Sequence, residues 1–201
     1  MPIMPPDRIP RPPATDRDIL TGIDPWTSPS FSLRNRLGRV AWTLCESTLF
    51  RLSPRPFHAL RSALLRLFGA RIAAGVHVYP GVHVWAPWNL SMDTGASIGE
   101  RAIIYNLARI EIGERAVISQ GAHLCAGTHD YHRADHALIA RPIHIGARAW
   151  ICTEAFVGPG VSVPPGTVLG ARGVLMRSPT EPWAVYAGNP ARRVGSRTMQ
   201  P

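Results

Sequence analysis

Between Leu124 and Pro142 the chain reads LCAGTHDYHRADHALIARP, gathering His129, His132 and His136 beside Asp130, Tyr131, Arg133 and Asp135. Side chains of these types move protons and hold charge. A neutral imidazole, with an ordinary pKa near ~6.5, is a base that works at neutral pH. Imidazoles and carboxylates also ligate metals, but three histidines in one loop are weak grounds for a closed or catalytic zinc site.

Cationic groups form a second set. The chain has 22 basic residues, all of them Arg, and a formal net charge of +9. Between Phe31 and Arg71 stand Arg34, Arg36, Arg39, Arg51, Arg55, Arg61, Arg66 and Arg71 against the single acid Glu46, a net +7. Arg172, Arg177, Arg192, Arg193 and Arg197 form a later group. Such clusters suit phosphates or an anionic membrane surface. Neither lies in a recognition helix or an aromatic-rich sheet motif, so nucleic acid is not an expected partner.

These groups need elements to hold them. With 201 residues, 45% of them hydrophobic, the chain can bury one sizeable core. Residues 1–30 carry Pro2, Pro5, Pro6, Pro10, Pro12 and Pro13 and read as a Pro-rich flexible or extended arm. Residues 31–71 read as a basic, amphipathic helical segment. Leu33, Leu37, Val40, Ala41, Leu44 and Leu52 fall near one stripe, Ser53-Pro54 marks a stop, and Phe57, Leu60, Leu64 and Leu67 follow on a second helix. Those apolar faces are expected to cover the open end of the next domain. Trp42, Phe50, Leu65 and Phe68 leave apolar surface outside the stripe that could rest on an anionic membrane.

From Ile72 the period becomes six. Aliphatic residues stand at Ile72, Val78, Val84 and Leu90, at Ile98 and Ile104, and at Ile112, Ile118 and Leu124. They resume at Ile145, Ile151, Val157, Val163, Leu169 and Leu175, often followed by Gly and, four places on, by a small or β-branched residue. Period six fits neither 3.6 nor 7, so helices are excluded. It fits a triangular coil in which each unit supplies one short strand and a corner, and Gly serves corners that need positive φ. The fold class is therefore an all-β solenoid over 72–179 with an N-terminal helical extension. Two-residue additions are expected near Thr94 to Ser97 and at Ile110-Glu111. The interval from Leu124 to Ile145 is twenty-one residues, three more than a whole turn of eighteen, so the chain loops out near 129–142. An extruded loop on a rigid solenoid is the part free to carry chemistry.

At this point the sequence resembles the hexapeptide-repeat acyltransferases, and within them the colanic-acid-biosynthesis and sugar O-acetyltransferases. The resemblance is carried by LLRLFGARI (64–72), YNLARIEIGERAVISQGAHLCAGTHD (105–130), RPIHIGARAWI (141–151), FVGPGVSVPPGTVLGARGVL (156–175) and AGNPARRV (187–194). It implies a left-handed parallel β-helix, acetyl-CoA as co-substrate, a homotrimer, and an active site between neighbouring subunits. The hand rests on the resemblance alone, because ordinary crossover connections are right-handed.

The resemblance also implies roles. His129 matches the family's general base, and Asn106 matches the Asn that faces the acceptor sugar. Asp130 and Tyr131 would orient the imidazole or touch the acceptor, and Trp85 and Trp88 are of a type that stacks on a sugar ring. Trp150 matches the Trp beside the pantetheine arm, Thr153 a backbone donor near the thioester oxygen, and Ala171 a close approach to that arm. Arg177 and Arg192 match phosphate contacts, with Arg193 and Arg197 as additional cations in the C-terminal segment 180–201. Cys152 stands where the family more often has Gly, which bears on the local backbone.

The expected reaction is direct acetyl transfer to a hydroxyl of a sugar or glycan intermediate. A covalent route through Cys125 is not expected. One alternative is a non-catalytic scaffold on the same solenoid. The other is a zinc enzyme, since a carbonic anhydrase class shares the fold; that class uses a His pair five apart, whereas His77/His83 and His123/His129 are six apart. Cys45, Cys125 and Cys152 do not resemble a disulfide framework, and residues 1–18 lack a signal-peptide core. The expected setting is cytoplasmic, either free or peripheral at the inner face of the membrane, with no metal.

Overall fold

A computed structural model describes residue 19 and residues 27–198, so most of the expected Pro-rich arm lies outside the described residues. The first coil comprises β1 (Arg71–Ile72), β2 (His77–Val78) and β3 (His83–Val84). The second comprises β4 (Leu90–Met92), β5 (Ser97–Ile98) and β6 (Ile103–Tyr105), and the third β7 (Ile110–Ile112), β8 (Val117–Ile118) and β9 (His123–Cys125). A hairpin, β10 (Gly127–His129) and β11 (Leu138–Ala140), then interrupts the winding. The fourth coil is β12 (Ile143–Ile145), β13 (Trp150–Ile151) and β14 (Phe156–Val157), and the fifth β15 (Ser162–Val163), β16 (Val168–Leu169) and β17 (Val174–Leu175). A sixth layer starts with β18 (Ala184–Ala187), on which β19 (Arg192–Ser196) folds back antiparallel.

Strands one coil apart pair in parallel and build three faces: β1-β4-β7-β12-β15, β2-β5-β8-β13-β16-β18, and β3-β6-β9-β14-β17. Every inward aliphatic position expected from the six-residue period is buried. Each is worth about 1.5–3 kcal/mol of transfer free energy when fully enclosed. Ala96, Ala102, Ala116, Ala122, Ala149 and Ala155 fill the inner corners, where little more than a Cβ fits.

The register corrects two expectations. Ile72 pairs with Met92, and Leu90 pairs with Ile110, so the first addition falls within residues 86–90 rather than near Thr94. It is taken up by a short 3-10 turn over Pro87–Asn89. The second addition falls within residues 106–109 rather than at Ile110-Glu111, which pair with Leu90 and Ser91, and it leaves with the hairpin from the same corner, where the third face hands over to the first. All the excess length is thus stacked on one edge of the prism.

The helices are α1 (Leu33–Cys45), continued by a π-helical turn over Glu46–Phe50, and α2 (His58–Leu67). Ser32 caps α1 by accepting from Asn35 N at 3.2 Å. The helices close the first coil edge by edge. The Arg66 Nε donates to Ile72 O at 2.9 Å beside β1, the Arg61 Nε donates to Val78 O at 2.6 Å beside β2, and beside β3 the Trp42 indole donates to Val84 O at 2.6 Å while Glu46 Oε1 accepts from Val84 N at 2.8 Å. Side chains so take the place of the missing preceding coil at one carbonyl on each face and at Val84 N, and cover an edge that could otherwise pair with another chain. Arg61 is fully buried and also reaches Ser53 Oγ, Pro54 O and Arg55 O.

The face of the helices that does this is the reverse of the one expected. Trp42, Phe50 and Leu65 are buried against the coil and Phe68 packs on Trp42, whereas Leu33, Leu37, Val40 and Leu44 are 60–66% exposed. On α2, Phe57, Leu60 and Leu67 likewise face outward while Arg61 and Ser62 face in. Unsatisfied strand edges demand polar partners, and the positions carrying Trp, Glu and Arg supply them.

Candidate active site

His129 closes β10 opposite Leu138 and is exposed. Its Nδ1 lies 2.7 Å from His136 O. A carbonyl only accepts, so Nδ1 carries the proton and Nε2 presents its lone pair outward. That is the tautomer a general base requires.

The turn that supplies this carbonyl is tightly held. Asp130 N donates to Ala137 O at 2.9 Å, and Asp130 Oδ1 accepts from His132 N at 3.0 Å. Arg133 forks onto Asp135 at 2.8 and 2.6 Å, and Asp135 Oδ1 accepts from Ala137 N at 3.2 Å. The Arg133 hydrogen bond pulls the Asp135 carboxyl down to about 2. His136 itself has φ +45°, a left-handed conformation uncommon outside Gly. The expectation that Asp130 orients the imidazole is corrected here. Asp130 ties the turn, and the His136 carbonyl orients the ring. Tyr131 is 79% exposed and lies beside His132, their ring centroids 4.2 Å apart and the planes tilted by 44°.

Asn106 does not face outward. It is fully buried, accepting from Ala86 N at 3.0 Å and donating to Ala86 O at 2.6 Å. Asn89 adds bonds to Asn106 O and Leu107 O at 3.2 and 3.1 Å. These amides bind the two short insertions together beneath the hairpin, where a polar backbone leaving the coil needs internal partners. A Cβ on Gly127 would overlap the Leu107 side chain, so the hairpin sits directly on this stack. Asn106 is therefore buried in this stack, where the expectation had it facing outward.

Trp85 is also spent. Arg39 lies over its ring at 4.1 Å, and Phe31 and Tyr105 flank it at 5.1 and 5.9 Å. Trp88 lies under Gly38 and Gly69. Neither presents an open ring for a sugar. The Cys125 thiol donates to Gly127 O at 3.2 Å, and burial raises its pKa, so it stays protonated.

Trp150, Thr153 and Ala171 come together on a different part of the prism. Trp150 projects from the second face, 45% exposed, its indole donating to Ser119 Oγ at 2.8 Å. Thr153 and Ala171 occupy successive layers of the corner between the second and third faces, joined through Arg172 N to Thr153 O at 2.9 Å. Among the described residues the Thr153 N–H has no partner. Cys152 N donates to Leu169 O at 2.9 Å, so the ladder continues through the Cys. Arg192 is exposed on β19, and Arg193 pairs with Glu181 at 3.1 Å. Arg177 stands apart from them, past β17 on the hairpin's corner.

Sequence reasoning missed two residues. Arg115 and Arg148 occupy left-handed corner positions, with φ of 52° and 58°, and line a groove of about 570 Å³ with Arg197, Val117, Ser119 and Trp150. Their signal was the Arg recurring at one place in IGERAV and IGARAW. Arg197 is fixed there by bonds to Arg148 O at 2.8 Å and Gly166 O at 3.4 Å.

The parallel triangular solenoid is the fold of the hexapeptide-repeat acetyltransferases. The colanic acid biosynthesis acetyltransferase assigned as WcaF in Escherichia coli (strain K12) is 40% identical over 151 residues, covering 75% of this chain and 82% of WcaF. The chain belongs to the acetyltransferase family of WcaF. No family model matches it. Solved structures agree on the fold. A hexapeptide-repeat acetyltransferase of Vibrio cholerae O1 biovar eltor complexed with acetyl coenzyme A superposes with a TM-score of 0.75 at 22% identity over 84% of this chain and 91% of that one. A maltose O-acetyltransferase of Clostridium difficile 630 gives 0.74 at 20% identity over 84% and 90%.

Among the described residues no three His, Cys, Asp or Glu side chains converge as a metal-ion site, and no helix is long and apolar enough to cross a membrane.

Proposed function

We propose that this chain transfers the acetyl group of acetyl-CoA to a hydroxyl of a sugar or glycan intermediate, with His129 as the general base. The observation that supports the reading is the 2.7 Å bond from His129 Nδ1 to His136 O, which leaves Nε2 free to accept a proton at the end of β10. The names of the relatives, an acetyltransferase of colanic acid biosynthesis and a sugar O-acetyltransferase, support this donor and acceptor class. So does the acetyl coenzyme A held by a solved structural neighbour.

The residues present fit the co-substrate. The exposed Trp150 offers a flat apolar wall to a pantetheine arm. The groove cations Arg115, Arg148 and Arg197, with Arg192, suit a phosphate-rich nucleotide, each charge-assisted contact contributing roughly 1.5–3 kcal/mol. The Arg193 charge is already answered by Glu181, so it is the weaker candidate. The Thr153 N–H would donate to the developing oxyanion.

In the proposed reaction, His129 Nε2 takes the acceptor's hydroxyl proton as its oxygen bonds to the acetyl carbon. The tetrahedral oxyanion collapses with cleavage of the carbon–sulfur bond, and the imidazolium returns its proton to the departing thiolate.

Within one chain the base and these groups do not meet. The hairpin leaves the corner between the third and first faces, whereas Trp150 and the groove lie on the second. We therefore propose a homotrimer in which the hairpin of one protomer, with its Arg177, faces the second face of the next.

The test is a panel of nucleotide-linked, lipid-linked and free sugars with acetyl-CoA, reading released thiol and product mass. His129→Ala is expected to lower kcat by about 10²–10⁴ with the assembly intact. A folded variant with undiminished turnover would refute the assignment.

A further inference from the structure

The helical cap uses only one side of α1. Asn35, Trp42, Glu46 and Phe50 turn inward, and on the opposite side Leu33, Leu37, Val40 and Leu44 repeat at intervals of four, three and four, each at least 60% exposed. Leu49 and Leu52 extend the exposed apolar surface at 63% and 77%. A contiguous aliphatic stripe on a surface helix marks a contact surface. The stripe is the regular amphipathic signal of the sequence, yet the fold beneath does not use it.

The charges around it identify the partner. Arg34, Arg36 and Arg51 are exposed alongside the stripe. A shallow groove of about 370 Å³ mixes Arg36 and Arg39 with Val40, Thr43 and Leu44. Glu46, the one acid between residues 31 and 71, is withdrawn beneath the helix, bonded to Val84 N and to His83. Among residues 31–71 the outward surface of the helices is therefore aliphatic, and its charges are all cationic. A second copy of this chain would set two such cationic segments against each other, and like charges across an interface oppose association.

We propose that the outward face of α1 docks on an anionic lipid bilayer. The Leu and Val side chains enter the acyl boundary, and the flanking guanidinium groups lie at the level of the headgroup phosphates. The helix stands at the start of the solenoid, and β9, from which the hairpin leaves, is two strand spacings from β3, about 10 Å. A docked chain holds His129 close to the headgroups and favours an acceptor anchored in the bilayer. That last consequence rests on the acetyl-transfer reading; the docking does not.

The experiment is co-sedimentation of the full chain with vesicles of phosphatidylglycerol and phosphatidylcholine, and with phosphatidylcholine alone. Wild type is expected to partition onto the anionic vesicles and to come off as salt rises. Leu37→Glu with Leu44→Glu is expected to lower partition by about ten-fold or more, and Arg34→Gln with Arg36→Gln by about five-fold for each Arg removed. Both pairs sit at exposed positions, so the melting temperature and acetyl transfer to a soluble sugar should hold. Absence of wild-type binding, or equal binding by the Glu pair, overturns the proposal. So does a Glu pair that keeps vesicle binding and loses assembly mass by light scattering, which makes the face a contact between copies.

Discussion

Arg61→Met keeps most of the buried volume at the cap and removes the charge-assisted hydrogen bonds that close the first coil. In the native chain the guanidinium serves Val78 O, Ser53 Oγ, Pro54 O and Arg55 O at 2.6–3.0 Å, with no exposed surface. His58 Nδ1 also meets Val78 O at 2.8 Å, so that acceptor keeps one partner. The buried Ser53 Oγ and the part-buried Pro54 O and Arg55 O lose this donor, at about 1–3 kcal/mol for the first and about 1 kcal/mol for each of the others, which puts the loss near ~3–5 kcal/mol. For a chain of this size a kilocalorie corresponds to about 2–4 °C, so the melting temperature should fall by ~6–20 °C. Solenoid coils are stabilised mainly by their neighbours. Hydrogen exchange should therefore rise first over residues 71–92 and leave the fourth and fifth coils protected. Thermal melts with peptide-resolved exchange make the check. A loss spread evenly over all coils, or a variant as stable as wild type, would refute the edge-closing role.

Gly127→Ala forces the hairpin off Leu107 and is expected to lower kcat by about 10² while the KM for acetyl-CoA stays put, because a displacement near 1 Å at the base acts on the chemical step; steady-state kinetics on the folded variant decide it. His83 carries the pH dependence of the cap. Its hydrogen bond to Glu46, at 3.1 Å, raises its pKa above the ordinary value, so its stabilisation is full below about 6.5 and is lost as pH rises through the folded value. The melting difference between wild type and His83→Gln should be larger at low pH than at high pH, and melts across that range would expose a flat difference.

How far the structure was legible from sequence follows from which forces a pattern reports. The six-residue period reports steric filling of a narrow interior, and the residues from Ile72 to Leu175 that carry it are buried as expected. The excess of residues after Leu124 reports chain that cannot fit a coil, and it became the hairpin. The helices were misread in orientation, because an apolar stripe shows which residues avoid water but not which side a neighbour needs. The edge of the first coil needed hydrogen-bond partners, so Trp42, Glu46 and Arg61 went inward and the Leu stripe stayed outside. Asn106 was misplaced for a related reason. A motif match preserves residue type, while the use of its amide depends on the backbone of residues 86–90, whose extra length was assigned to the wrong turn.

The stacking of all the extra length on one corner has a mechanical meaning. A solenoid corner is rigid because each turn is bonded to the ones above and below it, and a hairpin inserted alone would hang from two strand ends. Here the two shorter insertions lie beneath it, tied by the Asn89 and Asn106 amides, and Leu107 fills the space under Gly127. Arg141 N donates to Ala126 O at 2.8 Å across the hairpin's base. The support under the imidazole is built within one chain. The groove beside Trp150 is built on a face that points elsewhere. Under the trimeric reading, assembly has only to bring two preformed halves together, so dissociation should abolish turnover while leaving each protomer's coils intact.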